Sequence, residues 1–289
     1  MVLARIAFAA VIRTPAATAS VTHREPAKPQ IPSASPALRG GHGPSAAREL
    51  KFAVELHRID ELLATLAERM TRDPHAEPAL GGDYLVTSLY CDSPDREVAR
   101  RVGWHRFRKF RIRRYGSGDH AFLERKTRIG DLVRKERVEL PLDELPLLGQ
   151  GAVEANPAWI AASYRRQLLR RSLAPVCMIE YRRTAFDADM PHGAGSVPVR
   201  ATVDRGLRGV AVDDFRFAPA HPALAWQAIV PETAILEIKF AGDAASAADG
   251  VPVAVKDLLA SLRVSRRGRS KYRTCMRLLE GRDEETPDA

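Results

Sequence analysis

The chain has 289 residues, 45% of them hydrophobic, which is enough for one large domain with a sizeable core or for two small ones. Its net charge of +9 and isoelectric point near 9.8 imply an anionic partner, and no stretch approaches the about 18 uninterrupted apolar residues of a membrane span. Cys91, Cys177 and Cys275 are widely spaced and odd in number, which excludes a disulfide framework and a cysteine zinc signature and fits a reducing, cytoplasmic setting.

Met1–Ile12 is apolar but short, and Arg5 interrupts it, so it is a poor secretory signal. Residues 14–46 are rich in Pro, Ala, Ser, Gly and Thr without apolar periodicity. They read as a disordered leader, which places residues 1–47 outside the folded domain. The domain itself is expected over 48–280, with a polar tail over 281–289.

Glu49–Val54 is expected as a strand, followed by a helix over 58–70 in which Ile59, Leu62, Leu63, Leu66 and Met70 recur at helical spacing. Tyr84–Tyr90 reads as a strand ended by the turn residues Asp92-Ser93-Pro94-Asp95. Three further strands are expected over 106–115, 121–127 and 132–140, the first two joined by the hairpin loop Gly116-Ser117-Gly118-Asp119. A helix over 158–171 carries a basic face. Strands resume over 176–187, 199–204 and 233–240, a low-complexity loop spans 241–250, and two helices over 253–263 and 271–280 flank a short linker. About eight strands with a few helices describe a barrel-like α+β domain.

Several of these strands alternate charged and apolar residues: Glu49-Leu50-Lys51, Lys109-Phe110-Arg111-Ile112-Arg113, Glu124-Arg125-Lys126, Glu180-Tyr181-Arg182, Arg200-Ala201-Thr202-Val203-Asp204 and Glu237-Ile238-Lys239. Residues i and i+2 share a strand face, so a closed sheet can turn one charged face of each strand toward a shared polar interior. Lys51, Arg111, Arg113, Lys126, Arg182, Arg200 and Lys239 would then line one lumen with Glu49, Glu124 and Glu237. Cations confined in that number repel one another unless a highly charged anion lies among them, and a triphosphate or polyphosphate meets the need. The carboxylates point to a hard divalent cation, Mg²⁺ or Mn²⁺, with Glu237 the first choice of ligand and Glu49 and Glu124 behind it.

Lysine is the rarer base, 8 against 37 arginines, and Lys51, Lys126, Lys239 and Lys271 sit in or beside the charged segments. An ammonium is a compact charge suited to phosphate oxygens where the planar guanidinium does not fit. The basic run Arg263-Val264-Ser265-Arg266-Arg267-Gly268-Arg269 has no interleaved aromatic platform, so it does not read as a nucleic-acid arm.

These segments, together with Ser88-Leu89-Tyr90-Cys91-Asp92 and Ser270-Lys271-Tyr272, resemble in their order the VTC domain over about residues 48–280. That is the catalytic domain of the vacuolar transporter chaperone polyphosphate polymerases, in the triphosphate tunnel metalloenzyme superfamily. The resemblance implies an antiparallel eight-stranded β-tunnel, a closed barrel with flanking helices. It also implies transfer of the ATP γ-phosphate onto a polyphosphate chain with Mn²⁺ or Mg²⁺, so ATP and polyphosphate are the expected partners.

By position it implies phosphate ligands at Lys51, Arg111, Arg113, Lys126, Arg182, Arg200, Lys239 and Lys271, with Lys135 and Arg137 as less certain members, and a metal ligand at Glu237. Arg48 and Cys91 depart from the family pattern, which favours aromatics there, without touching the phosphate set. Nothing in the sequence resembles the inositol-phosphate-sensing domain or membrane helices of the eukaryotic complexes, so their functions are not implied. Two other readings stay open, a triphosphatase on the same site and a non-catalytic polyphosphate-binding module.

Overall fold

The computed structural model describes residues 47–74, 80–129, 132–150, 158–217, 225–241, 250–264 and 270–282. The leader through residue 46, most of the 241–250 loop, residues 265–269 of the basic run and most of the tail lie outside the described residues. The strands are β1 (Ala47–Glu55), β2 (Thr71–Arg72), β3 (Tyr84–Asp92), β4 (Arg108–Tyr115), β5 (His120–Ile129), β6 (Leu132–Pro141), β7 (Ala174–His192), β8 (Gly195–Ala211), β9 (Gln227–Ala228) and β10 (Thr233–Ala241). The α-helices are α1 (Ile59–Arg69), α2 (Glu97–Arg100), α3 (Ala162–Arg170), α4 (Val253–Ser261) and α5 (Lys271–Leu279).

Every strand pairing is antiparallel, in the order β7-β3-β4-β5-β6-β1-β10-β8, and β8 pairs back onto β7. Eight strands therefore close into a ring, with β2 and β9 as two-residue additions, and the expected α+β closed barrel with flanking helices is what forms. Closure removes the open sheet edges that invite pairing with other chains.

The alternation assigns opposite faces to opposite chemistry. On β1, Leu50, Phe52 and Val54 are buried toward the outside of the ring, where α1 and α4 cover them with Ile59, Leu62, Leu66, Val255 and Leu258. A second outer core joins Leu89, Phe110, Ile112 and Leu123 to Tyr164 and Leu168 of α3. Each such side chain contributes about 1.5–3 kcal/mol by burial. With both outer flanks sealed by helices, the charged residues one step along each strand have only the interior to face.

At β8, α5 approaches the sheet so closely that a Cβ on Gly209 would lie 2.4 Å from Cys275 Sγ. Only the absence of a side chain at Gly209 lets α5 settle there. The three cysteines are buried and unlinked, as expected. Among the described residues no helix is long and apolar enough to cross a membrane.

Candidate functional site

One group of interior charges is centred on Glu237 of β10. Its carboxylate accepts from Lys51 Nζ of β1 at 2.8 Å, from Lys239 Nζ of β10 at 2.7 Å and from Lys271 Nζ of α5 at 2.9 Å. Lys51 also lies 3.0 Å from Glu49, which accepts from Lys126 Nζ at 2.8 and 2.7 Å. Lys271 reaches Asp204 of β8 at 2.6 Å, and Arg183 of β7 grips the same carboxylate through two bonds of 2.6 and 2.8 Å. Lys271 is delivered by the start of α5, where Ser270 Oγ accepts from Arg273 N at 3.4 Å and from Lys109 Nζ at 2.5 Å. A serine at the N-cap is what a helix start favours.

The second group surrounds Glu124 of β5. Arg111 donates to it at 2.6 Å, Arg137 of β6 at 2.9 and 2.7 Å, and Lys135 lies at 2.5 Å. Arg113 donates instead to Ser88 Oγ and Tyr181 OH, both at 3.1 Å, and Arg137 also reaches Tyr115 OH at 3.0 Å. Across the two groups the nine cations Lys51, Arg111, Arg113, Lys126, Lys135, Arg137, Arg183, Lys239 and Lys271 face the four carboxylates Glu49, Glu124, Asp204 and Glu237.

This surplus shows in the titration of the groups. Burial alone would raise the Glu237 carboxyl, but Lys239, Lys271 and Lys51 hold it well below the usual range, and Glu49 and Glu124 are held down by their own cations. Burial pushes the Lys126 ammonium down to about 7 despite Glu49 beside it, and it lowers Lys239 despite Glu237. Burial would likewise raise the Tyr115 phenol, yet Arg113 and Arg137 draw it down to about 6. The anions are thus fixed as charged, while several cations bear a desolvation cost that a bound polyanion would relieve.

Most expected interior residues are brought together, but three expectations need correction or refinement. Arg182 is exposed, on the outer face with Glu180, which accepts from Arg208 and, at 3.3 Å, from Thr87; Arg183 is the interior residue. A register shift between Glu180 and Arg182 marks a bulge there. Glu124 is held in the arginine group, apart from the lysine-linked Glu49 and Glu237, and among the described residues no three His, Cys, Asp or Glu side chains form a metal-holding group. Arg200 is inside but tied to carboxylates, to Asp187 at 2.6 Å and to Asp73, with Tyr84 OH at 3.3 Å.

Sequence reasoning missed Asp204, Arg183 and Tyr181. Asp204 was visible in the pattern, because it shares a face with Arg200 four residues earlier. Glu237, with Glu49 or Asp204 reached through the shared Lys51 or Lys271, offers oxygen donors of the kind that a hard divalent cation such as Mg²⁺ or Mn²⁺ takes one or two at a time, completing its shell with substrate oxygens.

The VTC domain family model matches residues 46–280. No curated protein matches the sequence. Among solved structures the chain is similar to a candidate adenylate cyclase from Vibrio parahaemolyticus, with 14% identity over 80% of this chain and 98% of that one and a TM-score of 0.46. It is also similar to a candidate adenylyl cyclase from Hippeastrum described as having a dominant triphosphatase activity, with 15% identity, 83% and 97% coverage and a TM-score of 0.42. A protein from Pyrococcus horikoshii matches with 17% identity, 82% and 99% coverage and a TM-score of 0.43.

Proposed function

Because the chain belongs to the VTC domain family over residues 46–280, we propose that it is a metal-dependent polyphosphate polymerase that transfers the ATP γ-phosphate onto a growing polyphosphate chain inside the ring. The observation that carries this reading is the charge balance of the two interior groups, nine cations against four carboxylates, with Arg200 set against Asp187 and Asp73 beside them, enclosed by a closed sheet. A site built for a neutral or singly charged ligand would not accept that surplus.

In this reading Lys51, Arg111, Arg113, Lys126, Lys239 and Lys271 hold phosphate oxygens, Arg183 takes the place expected of Arg182, and Lys135, Arg137 and Arg200 extend the track. Arg111 and Arg113 fix oxygens by their planar donor sets, while the lysines act as movable point charges. A terminal phosphate oxygen of the chain attacks the γ-phosphorus, the bond to the β–γ bridging oxygen breaks, and ADP leaves. No protein nucleophile is needed, since alignment and electrostatic stabilisation supply the acceleration. Glu237, with Glu49 or Asp204, would hold a Mn²⁺ or Mg²⁺, which when bound neutralises charge on the phosphates. ATP as donor and buried, unlinked cysteines suit the cytoplasm.

The test incubates the purified chain with γ-labelled ATP, Mn²⁺ and a short polyphosphate primer and resolves the products by size. A ladder of labelled chains with ADP is the expected result. Free labelled phosphate alone would replace the reading with a triphosphatase, and unconsumed ATP with a polyphosphate-binding module.

A further inference from the structure

The interior of the ring is almost fully partnered, and one of its buried polar atoms is not. Thr202 of β8 is 0% exposed, and its Oγ1 has no hydrogen-bond partner among the described residues. Buried hydroxyls are nearly always bonded, and one left unpaired calls for an explanation such as a ligand. Thr202 shares the interior face with Arg200 and Asp204, two residues to either side.

Its cross-strand neighbours define what that ligand is. Thr202 pairs with Glu237 on β10 and with Ala185 on β7. The next interior positions along those strands are Lys239, which pairs with Arg200, and Arg183, which pairs with Asp204. Diagonal neighbours in an antiparallel sheet remain within reach of long side chains, so both cations can share a ligand with the hydroxyl.

We propose that the Thr202 hydroxyl binds the phosphate chain, donating a hydrogen bond to a non-bridging oxygen that Lys239 and Arg183 hold by charge. A hydroxyl adds direction without adding to the cation surplus, and it can turn to donate to whichever oxygen lies in register. The proposal rests on the reading of the interior as a phosphate site and assigns one more contact to it.

The experiment titrates tripolyphosphate into the full chain and its Thr202→Val and Thr202→Ser variants by calorimetry, and records thermal unfolding of each without ligand. Thr202→Val should weaken tripolyphosphate binding about ten-fold or more, as loss of a hydrogen bond to a charged group does, and Thr202→Ser should bind within about three-fold of the parent. The unliganded Thr202→Val protein should unfold at the parent's midpoint or above, because the change removes an unpaired buried polar atom. Equal binding by Thr202→Val overturns the proposal, and so does a fall in its unliganded midpoint, which would reveal a structural partner for the hydroxyl. Failure of the parent chain to bind tripolyphosphate overturns the phosphate-site reading itself, a result separate from either of those.

Discussion

Among the described residues, Arg183 and Lys271 are the interior cations bonded to Asp204, and all three side chains are buried. Arg183→Ala should therefore destabilise the protein by about 2–4 kcal/mol, somewhat less than a wholly unpaired buried charge because Lys271 remains. Arg182→Ala, on the exposed face, should change stability by under about 0.5 kcal/mol. Urea titration of the two variants checks this, and equal midpoints would contradict the assignment of Arg183 to the interior. Glu237→Gln keeps the shape of the site and removes the charge that three lysines share. It should lower metal-dependent turnover by about 10²–10³ while leaving tripolyphosphate binding largely intact, and near-parental turnover would remove Glu237 from the mechanism. Tyr115, drawn to about 6 by Arg113 and Arg137, should be a phenolate at neutral pH. Its folded pKa lies below the unfolded value of about 10, so its contribution to stability is complete above about pH 10 and is lost as pH falls through about 6. Ultraviolet difference spectra at about pH 8 should show one tyrosinate that Tyr115→Phe abolishes and tripolyphosphate suppresses by competing for the two arginines; a spectrum of neutral tyrosines would contradict it. The error at Arg182 has a plain cause. In Glu180-Tyr181-Arg182-Arg183 both phases of the alternation carry an arginine, and a period of two cannot say which phase faces inward when a bulge lies within the run.

Among the elements, α5 couples packing to the site most directly. Its N-terminal Lys271 bridges Glu237 and Asp204, and one turn later Cys275 is seated against Gly209. Gly209→Val should push α5 off β8, costing about 1–3 kcal/mol by overpacking and withdrawing Lys271 from both carboxylates. Thermal unfolding and turnover should fall together, and a variant with a lowered midpoint and full turnover would show that α5 does not position Lys271. The sequence made most elements readable because their apolar faces repeat at fixed periods. The ends were less readable. β7 and β8 run to 19 and 17 residues, well past the expected 176–187 and 199–204, because pairing with each other sustains them beyond the alternating core. Helix α2 has four residues and no periodicity to detect; Asp92 sets its start by accepting from Val98 N at 2.8 Å and Ala99 N at 3.0 Å. The basic face expected on 158–171 is also less uniform than its sequence suggests, since Arg165 is buried and bonded to Gln150 O while Arg171 lies over Trp104 at 4.3 Å.

For the molecule as a whole, ring closure gathers five of the six weakly informative charged segments into one interior, while the charges of Glu180-Tyr181-Arg182 stay on the outer face. None of Glu49-Leu50-Lys51, Glu237-Ile238-Lys239 or Arg111-Ile112-Arg113 is distinctive alone, since such pairs usually lie in solvent and contribute little. Closure through β7 and β8, with helices over the outer apolar faces, is what turns them toward each other. Their order along the chain made the closed sheet legible, whereas the partition of the interior into a Glu237 group and a Glu124 group depends on strand register, which alternation does not encode. The central claim is that this interior binds a phosphate chain and a divalent cation together. Crystals of the protein soaked with Mn²⁺ and tripolyphosphate would test it through the anomalous signal of the metal. The account predicts one Mn²⁺ within coordinating distance of Glu237, bridged to a phosphate chain lying along Lys51, Arg111, Arg113, Lys126 and Lys239. Metal and phosphate bound only outside the ring, with the Glu237 lysines still paired as they are in the unliganded protein, would contradict it.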